Sequence, residues 1–178
     1  DFFVSFALGE PPRGTLRYAT DLARRLKERD FAVFLCEDDL PPGHRLWATL
    51  DRLLDRSKVL VVIVNRHLLA NPGGVRREVE RFRRRHADDR IVVVTVGGAL
   101  PQPGDAAPDP ADAVVPIPVW LPGADRVLLN ETEAAIEQGV ASDKVVKDLA
   151  LALTTTRSYL RWRWLFAGVL AVFAGLWW

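Results

Sequence analysis

Two stretches, "KVLVVIVN" at residues 58–65 and "RIVVVTVGG" at 90–98, limit what this chain can fold into more than anything else in it. Both are almost unbroken runs of aliphatic, mostly β-branched residues with no polar face. A strand of that kind must be covered on both sides, which is the condition of a central strand in a parallel sheet. Two shorter strand-like pieces precede them, "FFVSFA" at 2–7 and "FAVFLCE" at 31–37. Between the strands the period changes. Leu16, Ala19, Leu22, Ala23 and Leu26 recur at helical spacing with arginines among them, predicting an amphipathic helix over 15–29. Leu46, Leu50, Leu53 and Leu54 mark a second helix, and "NPGGVRREVERF" at 71–82 lies in a third.

Strand and helix alternating in units of about thirty residues predict an open α/β sheet with right-handed crossovers. Ligands of such sheets bind beyond the carboxyl ends of the strands, near a switch in strand order. Here those ends lead into "LGEPPRG", "DDLPPGH", "NRHLL" and "GGALPQP". Residues 98–118 form a Pro-, Ala- and Asp-rich insertion that reads as an exposed loop. "VVPIPVWL" at 114–121 predicts a short strand that its prolines confine to an edge. Two helices follow, the first stopped by Gly139 and the second capped by Ser142. The globular part is thus placed at 1–155.

The C-terminus has a different character. "WRWLFAGVLAVFAGLWW" at 162–178 is apolar except for Arg163. As a helix it spans roughly 25 Å, slightly less than a hydrocarbon core. Trp162, Trp164, Trp177 and Trp178 suit interfacial belts, so 164–178 reads as a membrane helix that the chain's end cuts short. A buried terminal helix is the alternative. Arg157, Arg161 and Arg163 make 156–163 a basic linker, and by the positive-inside rule they place the preceding domain in the cytoplasm. The start at Asp1 in an apolar run, with no methionine in 178 residues, predicts a piece of a longer protein.

Most catalytic signatures are missing. The first loop carries neither GxGxxG nor a phosphate-loop pattern. His44, His67 and His86 are not spaced with Cys36 as metal ligands, and Cys36 reads as a small core residue. With a net charge of +1 and glutamates interleaved in the arginine run at 76–85, that run reads as a solvated helix face, and no nucleic-acid partner is expected. The two glutamates separate geometrically. Val75, Val79 and Phe82 form the apolar stripe of their helix; Glu78 lies roughly 65° from its centre and Glu80 about 135° away. Glu78 therefore belongs to the rim of the buried face and Glu80 to water. A rim carboxylate beside a strand-end crevice is either a functional group or half of an arginine ion pair.

The order of these pieces resembles a Toll/interleukin-1 receptor (TIR) domain. "FVSF" is similar to the family's first-strand signature, "EDDLPPGH" to its BB loop, "SKVLVVIVN" to its third strand, and "VRREVERF" to its WxxxE-like segment, with Glu78 on the glutamate. The resemblance implies a flavodoxin-like parallel sheet with helices on both faces. Some family members are scaffolds that self-associate through TIR–TIR contacts; others cleave the nicotinamide–ribose bond of NAD as substrate, with no further cofactor or metal. By that resemblance Glu78 is the catalytic carboxylate, and NAD contacts Phe6, Ala7, Leu8, Asp39 and Leu40. The loop of Asp38, Leu40, Pro41, Pro42, Gly43 and His44 meets a neighbouring domain. The chain departs from the pattern in "ALGEPPRG" after the first strand, in Gly74 where a tryptophan often stands, and in the Pro-rich insertion. The function expected is a membrane-tethered TIR domain that cleaves NAD when assembled in signalling or immune defence; the alternative is a non-catalytic scaffold.

Overall fold

The computed structural model describes residues 2–35, 46–100, 118–123 and 128–152. Its strands are β1 (Phe2–Ser5), β2 (Val33–Leu35), β3 (Val59–Val64), β4 (Ile91–Val96) and β5 (Leu128–Glu131). Its helices are α1 (Leu16–Lys27), α2 (Leu46–Arg56), α3 (Arg66–Ala70), α4 (Gly73–Arg83) and α5 (Glu133–Gln138), followed by α6 at 143–152. All strand pairs are parallel, in the order β2-β1-β3-β4-β5. This is the flavodoxin-like order, whose switch point lies between β1 and β3.

The aliphatic runs occupy the interior as their composition demands. Every residue of β3 and of β4 is buried. Strand alternation divides each run between two cores. Val59, Val61 and Ile63 face α1, α5 and α6, packing with Tyr18, Leu22, Ile136, Val145 and Leu149. Leu60, Val62 and Val64 face α2, α3 and α4, packing with Leu50, Leu54, Leu68, Val79 and Phe82. Each such side chain taken from water contributes roughly 1.5–3 kcal/mol, so the two-sided burial of these strands dominates the fold.

The described bounds fall within the expected elements at most positions. Gly139 ends α5 in the left-handed conformation at φ 68°, and Ser142 Oγ accepts from the Val145 N–H at 3.3 Å. One expectation is corrected. Of the edge strand placed at 114–121, residues 114–117 lie outside the described residues, and 118–121 make a turn closed by Leu121 N–H on the Pro118 carbonyl at 2.9 Å. The strand beside β4 is Leu128–Glu131. Prolines lack the N–H that a ladder needs. Trp120 and Leu121 are buried against the α4 side of the sheet, and Arg83 holds the turn by donating to the Val119 carbonyl at 3.1 Å. Of the arginine run at 76–85, Arg76, Arg77, Arg84 and Arg85 are exposed, as a solvated helix face requires, while Arg81 and Arg83 are half-buried. Arg81 pairs with Asp51 at 3.4 Å and Asp55 at 3.2 Å on α2, and Arg83 forms a two-pronged pair with Asp88.

The expected membrane helix at 164–178, its basic linker at 156–163, most of the Pro-rich insertion and Cys36 lie outside the described residues. Among the described residues, no helix is long and apolar enough to cross a membrane.

A buried polar knot ties the two ends of the fold together. Glu131, at the end of β5, accepts from the Tyr18 hydroxyl at 2.9 Å, from Ser142 N–H at 3.0 Å and from Thr132 N–H at 2.9 Å. Burial, and secondarily the adjacent carboxylate, push the Tyr18 phenol far up. Glu131→Ala leaves these donors without acceptors and is expected to cost about 3 kcal/mol, lowering the thermal midpoint by about 10 °C. Tyr18→Phe removes one bond and is expected to cost about 1 kcal/mol. Thermal unfolding of both variants checks the ranking.

Candidate functional site

β1 ends at Ser5, in register with Val62 of β3. Beyond this point the chain leaves the sheet on opposite faces, through the 6–15 loop to α1 and through α3 to α4. The space between the two exits is a cleft of about 800 Å³. Its lining includes Phe6, Ala7 and Leu8 from the β1 exit, Leu50 of α2, His67 and Leu68 of α3, and Glu78 of α4. A volume of this size suits a small-molecule site.

Strand alternation turns Ser5 to the same face as Phe3, the face that carries α4. Glu78 sits one turn from Val75 and Phe82 along that helix, so it arrives directly over the end of β1. Ser5 Oγ donates to Glu78 Oε2 at 2.5 Å. Glu78 is only 7% exposed, close to the 6% of Val75, and is thus deeper than the rim position its helical angle suggests. The sheet ends beneath it instead of continuing past it, and only tertiary structure specifies that. Its partner is a hydroxyl, not an arginine. Glu80, by contrast, meets Arg76 one turn away at 2.7 Å on the water side.

The electrostatics of Glu78 follow from this placement. Burial raises its carboxyl to about 7, with the Ser5 hydrogen bond acting in the opposite sense. A neutral hydroxyl cannot offset the removal of water as a guanidinium would. Glu131 is as buried as Glu78 but accepts three hydrogen bonds. Among the described residues Glu78 accepts one, and it borders open space. Near neutral pH it therefore exists in both protonation states and retains free acceptor positions on the cleft side.

The remaining walls are made locally. Asn65, at the end of β3, caps α3 by accepting from Leu68 N–H at 2.8 Å, and its amide donates to the Pro12 and Arg13 carbonyls. This fixes the first loop against α3. The loop closes on itself where Thr15 N–H meets the Ala7 carbonyl at 2.8 Å, and Gly14 is required there because a Cβ would lie 2.0 Å from the Gly9 oxygen. At the mouth, Gly73 and Gly74 open α4 without a side-chain cap, leaving its first amides uncovered where a tryptophan at 74 would stand.

Of the residues singled out from sequence, the structure brings Phe6, Ala7, Leu8 and Glu78 into one cleft. Asp38, Asp39, Leu40, Pro41, Pro42, Gly43 and His44 lie outside the described residues. Ser5, Arg13, His67 and Asn71 line or support the site and were not singled out. For Ser5 a signal existed, a polar residue inside an otherwise apolar strand. Among the described residues, no cluster of His, Cys, Asp and Glu could hold a metal ion.

The profile of a family described as TIR domain matches residues 2–125. A protein of Actinoplanes sp. named NAD(+) hydrolase ApTIR is 29% identical over 127 residues, covering 69% of this chain. The chain spans 18% of the length of that relative. Among solved structures, the TIR domains of the activated Roq1 resistosome recognising the pathogen effector XopQ align at a TM-score of 0.45 and 21% identity. That alignment covers 54% of this chain and 57% of the other.

The raised Glu78 carboxyl makes stability depend on pH with a definite sign. In the unfolded chain the group titrates near 4.3, and in the fold near 7. Between these values the folded state holds the extra proton. The contribution is therefore fully present below about pH 4 and is lost as pH rises through 7. Glu78→Gln lacks this titration. Urea unfolding at pH 4.5 and pH 8 is expected to show the wild type losing on the order of 3 kcal/mol relative to Glu78→Gln over that interval.

Proposed function

The chain belongs to the TIR domain family, and from that premise we propose that it cleaves NAD at the nicotinamide–ribose bond, with Glu78 as the carboxylate beside the reacting sugar. The observation that carries this reading is a buried carboxylate, held by one hydroxyl, with free acceptor positions facing a cleft of sufficient size. The similarity to a protein named as an NAD(+) hydrolase supports it.

The chemistry asks little of the protein. The bond between ribose C1′ and the pyridinium nitrogen breaks with both electrons going to nitrogen, so nicotinamide leaves neutral and the sugar becomes an oxocarbenium-like cation. Water adds at C1′ and loses a proton, giving ADP-ribose. An anion fixed beside C1′ stabilises that cation, and in a site shielded from water the effect is large. Ser5 holds Oε2, which leaves Oε1 for the ribose hydroxyls or the cation. Phe6, Ala7 and Leu8 form the apolar wall against which nicotinamide rests. Loop 38–44 contacts NAD through Asp39 and Leu40 and meets a second copy through its Pro/Gly turn, so that assembly completes the cleft.

Gly74 favours a second reading, a scaffold that signals by TIR–TIR contact alone, since it removes an aromatic wall from the mouth of the cleft. The single-pass tether at 164–178, with the domain on the cytoplasmic side, is a separate proposal resting on sequence. Carbonate-resistant membrane association of the full chain, lost on truncation after residue 155, is its expected signature.

NAD consumption and nicotinamide release by protein concentrated on a multivalent support decide between the two readings. The wild type is expected to turn over, Glu80→Ala to stay within about twofold of it, and Glu78→Ala to fall at least about 100-fold. Because the ionised carboxylate is the working form, turnover is expected to rise with pH through about 7. A clustered wild type that leaves NAD intact returns the protein to the scaffold reading.

A further inference from the structure

The cleft contains more charge than one carboxylate. Arg13 and His67 both line it, and Asn65 places them on one wall. The Asn65 amide holds the Arg13 carbonyl at 3.4 Å while its oxygen caps α3, whose first turn carries His67. Glu10, the acid of the same loop, is engaged by Arg17 at 3.1 Å. Among the described residues, neither the Arg13 guanidinium nor the His67 imidazole has a hydrogen-bonding or ion-pair partner. The loop's backbone is a poor anion receptor, because Pro11 and Pro12 have no N–H.

We propose that Arg13, with His67 on the same wall, holds the diphosphate of the dinucleotide, an assignment that rests on the NAD-cleaving reading above. Covalent connectivity gives the reason. Once ribose C1′ faces Glu78, the phosphate on C5′ of the same sugar is a few bonds away and has to lie in the same cleft. A diphosphate so close to a carboxylate requires a cation, and a guanidinium fork matches two phosphate oxygens at once. Ala7 and Leu8 at the β1 exit are apolar and leave that end to the aromatic ring. The cleft thereby sorts the substrate, with nicotinamide toward Phe6–Leu8, ribose at Glu78 and diphosphate at Arg13. Arg13 is exposed and outside both cores, so its loss leaves the fold intact.

ADP-ribose separates binding from chemistry, since it carries the diphosphate and has no nicotinamide bond to break. In calorimetric titrations of the full chain, Arg13→Ala is expected to weaken ADP-ribose binding about 10- to 100-fold and to leave adenosine binding unchanged, with partial recovery in Arg13→Lys. In turnover the KM for NAD is expected to rise by a similar factor while kcat stays within about twofold. Equal ADP-ribose affinity in wild type and Arg13→Ala, or a wild type that binds no ADP-ribose, overturns the assignment. Arg13-dependent binding by a protein that leaves NAD intact keeps the diphosphate site and removes the hydrolase reading. NAD cleavage with an unchanged KM in Arg13→Ala does the reverse.

Discussion

Everything in this molecule is arranged around the parting of the chain at the carboxyl end of β1 and β3. These neighbouring strands pair in parallel through four registered positions, and the segments that leave them are sent to opposite faces of the sheet. Right-handed crossovers leave no other arrangement for strands in this order. The crevice is the gap that results. Its floor is the last residue of a strand, and its walls are the first turns of whatever follows. The long aliphatic runs hold this geometry fixed because no other packing removes both of their faces from water.

Two buried glutamates show how burial alone misleads. Glu131 and Glu78 are similarly hidden, yet Glu131 is surrounded by a phenol and two backbone amides, and its role is complete within the fold. Among the described residues Glu78 has a single partner, with a cleft in front of it. The difference lies in unused hydrogen-bonding capacity, which a folded protein retains only at some cost in stability. The raised carboxyl of Glu78 is the thermodynamic record of that cost.

How much of this was legible in the sequence depended on how local each cause was. β3 and β4 were legible because two-sided burial leaves a composition that nothing else produces. β5 was not, because "LLNE" at an edge has one buried face and no periodic run, while the nearby "VVPIPVWL" is more strand-like in composition, yet its described end at 118–121 makes a turn. Helical geometry separated Glu78 from Glu80 correctly but set Glu78 too shallow, since the end of the sheet beneath it comes from residues 73 positions away. The same separation hid Ser5. The Asn65 clamp joins segments more than fifty residues apart and carries no local pattern at all.

Ser5 belongs to a central strand, and Glu78 to the buried stripe of a core helix, flanked by Val79. Their positions therefore serve heredity in two ways at once. A change of size or shape at either disturbs the interior as well as the cleft. The rim is under no such restraint: positions 7, 8, 13, 67, 71 and 74 are exposed or half-buried and can be exchanged at little cost to the fold. Diversification in a protein built this way is expected to run around the mouth of the crevice while its floor stays still.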